Sequence, residues 1–141
     1  MPTMNESERR EFLRAGARTA IVATVREDGR PHVVPVWFDL DGDDLVFTTG
    51  QDSVKGRALR GNPRVAICVD DDRPPFAFVI VEGRASLSAD EGEVRKWAGI
   101  LGGRYMGEDR AEEMADLNGG PDQMVVRVTP THIVSERAVA G

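Results

Sequence analysis

Residues 45–64 read LVFTTGQDSVKGRALRGNPR, and the order of residue types in this stretch decides how the chain folds around it. Leu45, Val46, Phe47, Thr48 and Thr49 are apolar, aromatic or β-branched, which predicts a strand. Gly50 breaks it. A short helix restarts after Asp52 or Ser53, either of which can accept a bond from a free N–H of the first helical turn. Gly61-Asn62-Pro63 ends that helix, because Gly and Asn tolerate a left-handed turn and Pro cannot continue a helix. Lys55, Arg57, Arg60 and Arg64 face only Asp52 within the stretch, yet the whole 141-residue chain carries a formal charge of −6. On an exposed helix such cations are a solvated face. At a strand-to-helix turn of an acidic molecule they point to an anion pocket, and the backbone N–H groups of the helix start add to the attraction.

Working outward, residues 19–26 are rich in β-branched side chains and predict a strand, followed by an Asp28-Gly29 hairpin turn. Residues 32–40, HVVPVWFDL, form the next strand, and Asp41-Gly42 turns it back into residue 45. Two tight hairpins in a row imply an antiparallel meander. In that strand Trp37 and Phe38 point to opposite faces: one belongs to the core, the other to a ligand or a dimer seam. Asn5 and Glu8 are spaced as a capping box for a helix over residues 6–15, with Phe12 and Leu13 inward and Gly16 at its end.

Downstream, residues 64–70 are a fourth strand, and Asp70-Asp71-Asp72 with Arg73-Pro74-Pro75 is a polar turn rather than a metal site. Residues 76–87 are a fifth strand with a bulge at Gly83. Ser88 and Glu91 make a second capping box, and Val94, Trp97, Ile100 and Leu101 recur at helical spacing, so Trp97 reads as packing. Gly102-Gly103 is expected to break that helix. This places Tyr105 on a loop. A short helix over residues 109–117 and a last strand over residues 124–134 complete the chain.

The expected fold is mainly β with short helices (α+β), a single domain over residues 1–141. Its roughly six antiparallel strands would close into a small barrel to hide their edges. Several strands are apolar on both faces, as in Val33, Val34, Val36, Trp37 and Phe38, so one outer face should pack on something else. A second copy of the chain is the simplest candidate.

Hydrophobic residues make up 40% and charged residues 30% of the chain, ordinary for a globular protein. The acidic pI, near 4.9, argues against nucleic-acid binding and gives no attraction to anionic membranes. The single cysteine, Cys68, excludes an intramolecular disulfide and a cysteine zinc cluster, and its apolar neighbours mark it as a packing residue. There is no long apolar run and the N-terminus is polar, which predicts a cytoplasmic protein. His32 reads as a surface residue and His132 has no assigned role. No HExxH, GxxxxGK[ST] or GxGxxG occurs, so neither a catalytic residue nor a metal ligand stands out. A cationic pocket without a catalytic group predicts a cofactor that carries the chemistry itself.

The succession RPHVVPVWFDLDGDDLVFTT (residues 30–49), SVKGRALRGNPRVAICVDD (53–71) and PPFAFVIVEGRASL (74–87) resembles the split β-barrel flavin/deazaflavin oxidoreductases, the pyridoxamine-phosphate-oxidase-like enzymes. The likeness runs over residues 19–134. The KGRALRGNPR form is most similar to the B-type enzymes that use coenzyme F-420, an 8-hydroxy-5-deazaflavin; FMN is the alternative cofactor of the same fold. The resemblance implies a six-stranded antiparallel, FMN-binding-like split barrel and a homodimer with cofactor sites at its interface. It implies that Val34, Pro35, Val36 and Trp37 run along the ring, that Thr48, Thr49 and Gly50 line the ribityl and phosphate region, and that Lys55 and Arg60 hold the phosphate or tail carboxylates. Arg57 and Arg64 would assist, Ala77, Phe78 and Val79 would form another wall, and Arg104-Tyr105-Met106 would approach from the partner subunit. The implied activity is hydride transfer from reduced deazaflavin to a conjugated small molecule such as an enone, a quinone or a tetrapyrrole-like compound. An FMN oxidase or reductase, or a non-enzymatic F-420 carrier, are the alternatives. The proton would come from Tyr105, a cofactor hydroxyl or water.

Overall fold

In the computed structural model, which describes residues 2–140, the elements follow in the order α1 (Glu6–Arg14), β1 (Ala20–Val25), β2 (Pro31–Val36), β3 (Asp39–Asp41), β4 (Asp44–Gly50), α2 (Val54–Gly61), β5 (Arg64–Asp71), β6 (Ala77–Ser88), α3 (Glu91–Met106), α4 (Ala111–Asn118) and β7 (Gln123–Arg137). A 3-10 turn, Glu108–Arg110, precedes α4. Among the described residues the strands form one seven-stranded sheet in the order β2-β1-β5-β6-β7-β4-β3, and all six pairings are antiparallel.

Seven strands replace the expected six because residues 32–40 are two strands, not one. The chain bends at Trp37-Phe38, and its halves go to opposite edges of the sheet. Helix α3 causes the bend by taking both backbone groups of Phe38 out of the ladder. The Phe38 N–H donates to Tyr105 Oη (3.2 Å), and the Phe38 carbonyl accepts from Arg104. The three-strand meander is therefore absent. Two edge strands joined by two residues lie within about 11 Å of each other at that point, three Cα steps, so the sheet must curl. Among the described residues no ladder spans the seam, so the curled sheet is open there rather than a closed barrel.

The concave face carries the core: Val22 of β1, Ile67 and Val69 of β5, Val79 and Val81 of β6, Val126 and Val128 of β7, with Phe38, Leu45 and Phe47. Each such side chain contributes about 1.5–3 kcal/mol relative to exposure. A second, smaller cluster explains why β4 and β7 are apolar on both faces. Val46 and Val125 point outward and are covered by Val94 and Trp97 of α3. Elsewhere the outer face is bare. Pro35, Ile21, Cys68, Ile80 and Val134 stand in register across five strands, with Ile21 and Val134 exposed. Cys68 is accordingly half-buried rather than a core residue, and burial pushes its thiol pKa up.

Local signals were followed in most helices. Asn5 and Glu8 form the reciprocal capping box of α1. The cap of α3 is Asp90, not Ser88: its carboxylate accepts from the Glu93 N–H at 3.0 Å. Gly102-Gly103 does not break α3, which runs on to Met106. A Cβ at Gly102 would strike the Met114 side chain, and one at Gly103 would lie 2.8 Å from the Glu108 carboxylate. The pair lets the following turn and α4 close on α3. Gly83 does mark the bulge, a register shift against β7. No helix among the described residues is long and apolar enough to cross a membrane.

Candidate functional site

The turn between β4 and α2 is built around the Ser53 hydroxyl. Ser53 Oγ accepts from the Gly56 N–H (3.0 Å), donates to the Gly50 carbonyl (2.8 Å) and lies 2.9 Å from Thr49 Oγ1. Ser53, not Asp52, is the cap. Gly56 is required, because a Cβ there would meet the Gly50 carbonyl and come within 3.0 Å of Ser53 Oγ. The N–H groups of Val54 and Lys55 open the helix with no intrahelical acceptor.

This turn forms one end of a cavity of about 550 Å³, within the usual range for small-molecule sites. Pro35, Val36 and Trp37 form one wall, Thr48, Thr49, Gly50, Ser53 and Lys55 another. Ala98 and Leu101 of α3 form a third, and Leu117, Asn118, Asp122 and Gln123 close the rim beside Thr19. Lys55 is half-buried, and burial pulls its pKa below the ordinary lysine value. Among the described residues it forms no ion pair, although other surface cations do. An ammonium held partly away from water without a carboxylate is costly unless an anion joins it.

Of the residues singled out from the sequence, Pro35, Val36, Trp37, Thr48, Thr49, Gly50 and Lys55 come together in this cavity, and the others do not. Val34 sits further along β2. Arg57 is exposed and faces a separate groove with Arg26 and Arg30. Arg60 is also exposed. It donates to Gln51 Oε1 (3.0 Å), and the Gln51 amide donates to the carbonyls of Pro121 and Gln123 (3.1 and 3.2 Å), which ties Arg60 to the segment after α4, outside the cavity lining. Arg64 is exposed and pairs with no aspartate among the described residues. Ala77, Phe78 and Val79 lie on β6, with at least one strand between them and either β2 or β4, and Val79 is fully buried in the core. The four cations thus do not act as one cluster. Lys55 is four positions from buried Leu59 and shares its helix face, a spacing that could have singled it out.

Phe38 is the core member of its pair, and Trp37 borders the cavity with its ring stacked on Tyr105, centroids 5.1 Å apart and planes 4° from parallel. Tyr105 is in α3, not on a loop, and Arg104 and Tyr105 make hydrogen bonds within their own chain. The Tyr105 hydroxyl donates to the Arg18 carbonyl (2.7 Å), and Arg104 donates to the Leu13 carbonyl (2.8 Å). Sequence reasoning missed the α3 wall and the rim after α4. The Asn118–Gln123 turn chemistry was visible, but nothing local says that it folds over β4. Asp70 and Asp71 end β5 instead of forming a turn, and only Asp71 is paired with arginines: hydrogen bonds from Arg73, then the charges of Arg73 and Arg18, hold it at about 2.

The family model described as pyridoxamine 5′-phosphate oxidase matches residues 6–135 of the chain. The chain is 41% identical over 71 residues to a pyridoxine/pyridoxamine 5′-phosphate oxidase of Myxococcus xanthus, covering 50% of this chain and 34% of that protein. It is 35% identical over 83 residues to a 5a,11a-dehydrotetracycline/5a,11a-dehydrooxytetracycline reductase of Streptomyces rimosus, covering 53% and 58%. The chain therefore spans a third to somewhat over half of the length of the curated relatives it matches. Among solved structures, the conserved hypothetical protein Rv2991 of Mycobacterium tuberculosis superposes with a TM-score of 0.85 at 26% identity, covering 96% of this chain and 86% of that one. An F-420 reductase superposes with a TM-score of 0.70 at 31% identity, covering 87% and 94%.

Proposed function

The chain belongs to the pyridoxamine 5′-phosphate oxidase family, and from that premise we propose that it is an oxidoreductase that binds coenzyme F-420. Its reaction passes a hydride from the reduced deazaflavin to a conjugated small-molecule acceptor such as an enone, quinone or tetrapyrrole-like compound. The observation that carries the reading is Lys55: a half-buried ammonium on the cavity wall, with no ion-pair partner among the described residues, beside the open N–H groups of a helix start. That donor set fits a phosphate. When bound, the deazaflavin ring supplies the hydride. Lys55 and the first turn of α2 hold the phosphate, with the Thr48, Thr49 and Ser53 hydroxyls close by. Each sheltered charge-assisted bond contributes about 1.5–3 kcal/mol. Pro35, Val36 and Trp37 shield the ring from water on one side, and Arg60, beyond the cavity lining, meets an acidic tail that leaves it. In this reading Tyr105 is not the proton donor: its hydroxyl donates to the Arg18 carbonyl and does not border the cavity. Water or a hydroxyl of a bound molecule supplies the proton.

The similarity to an F-420 reductase and to a reductase of dehydrotetracyclines supports this reading. One observation favours FMN instead: Lys55 is the only one of the four cations on this cavity wall, which matches a single phosphate. We further propose a homodimer in which the bare outer row of Pro35, Ile21, Cys68, Ile80 and Val134 packs on a second copy. Pro35 belongs to both the row and the cavity, so the site would adjoin that interface.

The test is fluorescence titration with F-420 beside FMN, followed by anaerobic oxidation of reduced F-420 against an acceptor panel. Tighter binding of F-420 and turnover with a conjugated acceptor are expected. Protein that purifies yellow with tight FMN and ignores F-420 would overturn the cofactor assignment; F-420 binding without turnover on any acceptor would make the protein a carrier.

A further inference from the structure

We propose that Tyr105 is a positioning residue that holds the Trp37 indole as a rigid wall of the cavity, against which a planar aromatic ring lies. This deepens the functional reading above and rests on it for the identity of the ring.

Trp37 occupies the two-residue link between β2 and β3, outside any strand. No ladder fixes the direction of its side chain, and an indole in such a link would sample several rotamers. Helix α3 removes that freedom. Arg104 lies over the Phe38 ring, 4.7 Å from its centroid, and donates to the carbonyls of Phe38 and Leu13. Tyr105 Oη donates to the Arg18 carbonyl and receives the Phe38 N–H, so the phenol ties the link to the segment before β1. The Tyr105 ring then lies nearly parallel to the indole, 5.1 Å from it. Trp37 is half-buried and borders the cavity, so one face is taken by Tyr105 and the surface left over is presented to a ligand. A wall fixed before binding spares the ligand the cost of ordering it. The hydroxyl of Tyr105 is consumed in this arrangement, so its role is exerted through Trp37 and not on reacting atoms.

The chain has two tryptophans, and Trp97 is 4% exposed, so acrylamide quenching of tryptophan fluorescence reports chiefly on Trp37. In the ligand-free protein, Tyr105→Leu should raise the quenching constant at least twofold. Tyr105→Phe keeps the stacked ring but loses both hydroxyl bonds of the link, and should fall between wild type and Tyr105→Leu. Ring affinity is read separately with riboflavin, which carries a planar ring and no phosphate. It should weaken about tenfold in Tyr105→Leu and be only partly restored in Tyr105→Phe, which keeps the ring and loses the hydroxyl bonds. Trp37→Leu leaves Tyr105 in place and should lose riboflavin affinity to the same extent, which keeps the test valid if Tyr105→Leu fails to fold. Equal quenching in wild type and Tyr105→Leu overturns the positioning role. Ring affinity that survives Trp37→Leu, or a wild type that binds no planar ring, overturns the wall. A failure of Lys55→Met to weaken phosphate-bearing cofactors, with riboflavin behaving as stated, falls on the functional reading alone.

Discussion

Replacing Lys55 by methionine keeps an apolar stem of similar length on the cavity wall and removes the charge. In the folded protein that ammonium is half-buried and has no ion-pair partner among the described residues, so a bound phosphate is its natural counterion. A charge-assisted bond contributes about 1.5–3 kcal/mol, and about 1.4 kcal/mol is a tenfold change in affinity. Because Lys55 keeps part of its surface in water, the lower end applies, and F-420 and FMN should each bind about tenfold more weakly to Lys55→Met. Riboflavin should bind unchanged. Titration of wild type and variant with the three ligands, by fluorescence or calorimetry, reads this directly. The pH dependence carries the same signature. The folded-state pKa of Lys55 lies below the unfolded one because burial disfavours the ammonium. Between those two values the unfolded chain binds the proton and the folded chain does not, so ligand-free stability rises with pH across that window. Lys55→Met should lack that rise. Phosphate affinity in the wild type should fall as pH rises through the lowered value, where the ammonium is lost. A variant that binds F-420 as tightly as wild type, with an unchanged pH profile, would mean that Lys55 does not hold the phosphate.

Three further outcomes are expected. Gly56→Ala pushes a methyl into the Gly50 carbonyl and the Ser53 hydroxyl; it should cost about 1–3 kcal/mol in urea unfolding and lower phosphate affinity, and wild-type stability would mean that the α2 start can shift freely. Asp71 sits at about 2, held there by Arg73 and Arg18. Its contribution is present above the ordinary carboxylate value and lost as pH falls toward about 2, so Asp71→Asn should flatten acid unfolding across that window, as followed by circular dichroism. Ile80→Glu places a charge between Cys68 and Val134 in the outer row and should give a monomer in sedimentation analysis; a wild type that is already monomeric at micromolar concentration would remove the proposed dimer.

How much could be read in advance depended on the range of the forces involved. The Asn5–Glu8 box, the turns at Gly29 (φ +88°) and Gly42 (φ +62°), and the Ser53 cap each depend on atoms within about four residues of one another. They formed where the sequence places them. The bulge at Gly83 was also visible, since a strand glycine permits the close approach of Thr129. Phe47, Val79 and Val81 were recognisable as strand interior by their neighbours. The candidate site was half visible in the same way: the β4–α2 turn and the end of β2 were marked, but α3 and the segment after α4 were not.

Residue order alone carried the antiparallel β character, the strand–turn–helix around Gly50 and Ser53, and the run of cations. Tertiary structure alone decided that residues 32–40 split at Trp37-Phe38, that Gly102-Gly103 lies inside a helix, and that Lys55 but not Arg57 borders the cavity. The physical reason is common to all three. A hydrogen bond from the Phe38 N–H to a tyrosine on α3, a methionine of α4 fitted over a glycine, and the face of α2 turned toward β4 are contacts between different elements. Such contacts are worth as much as local ones, but their partners are known only when the chain has closed on itself.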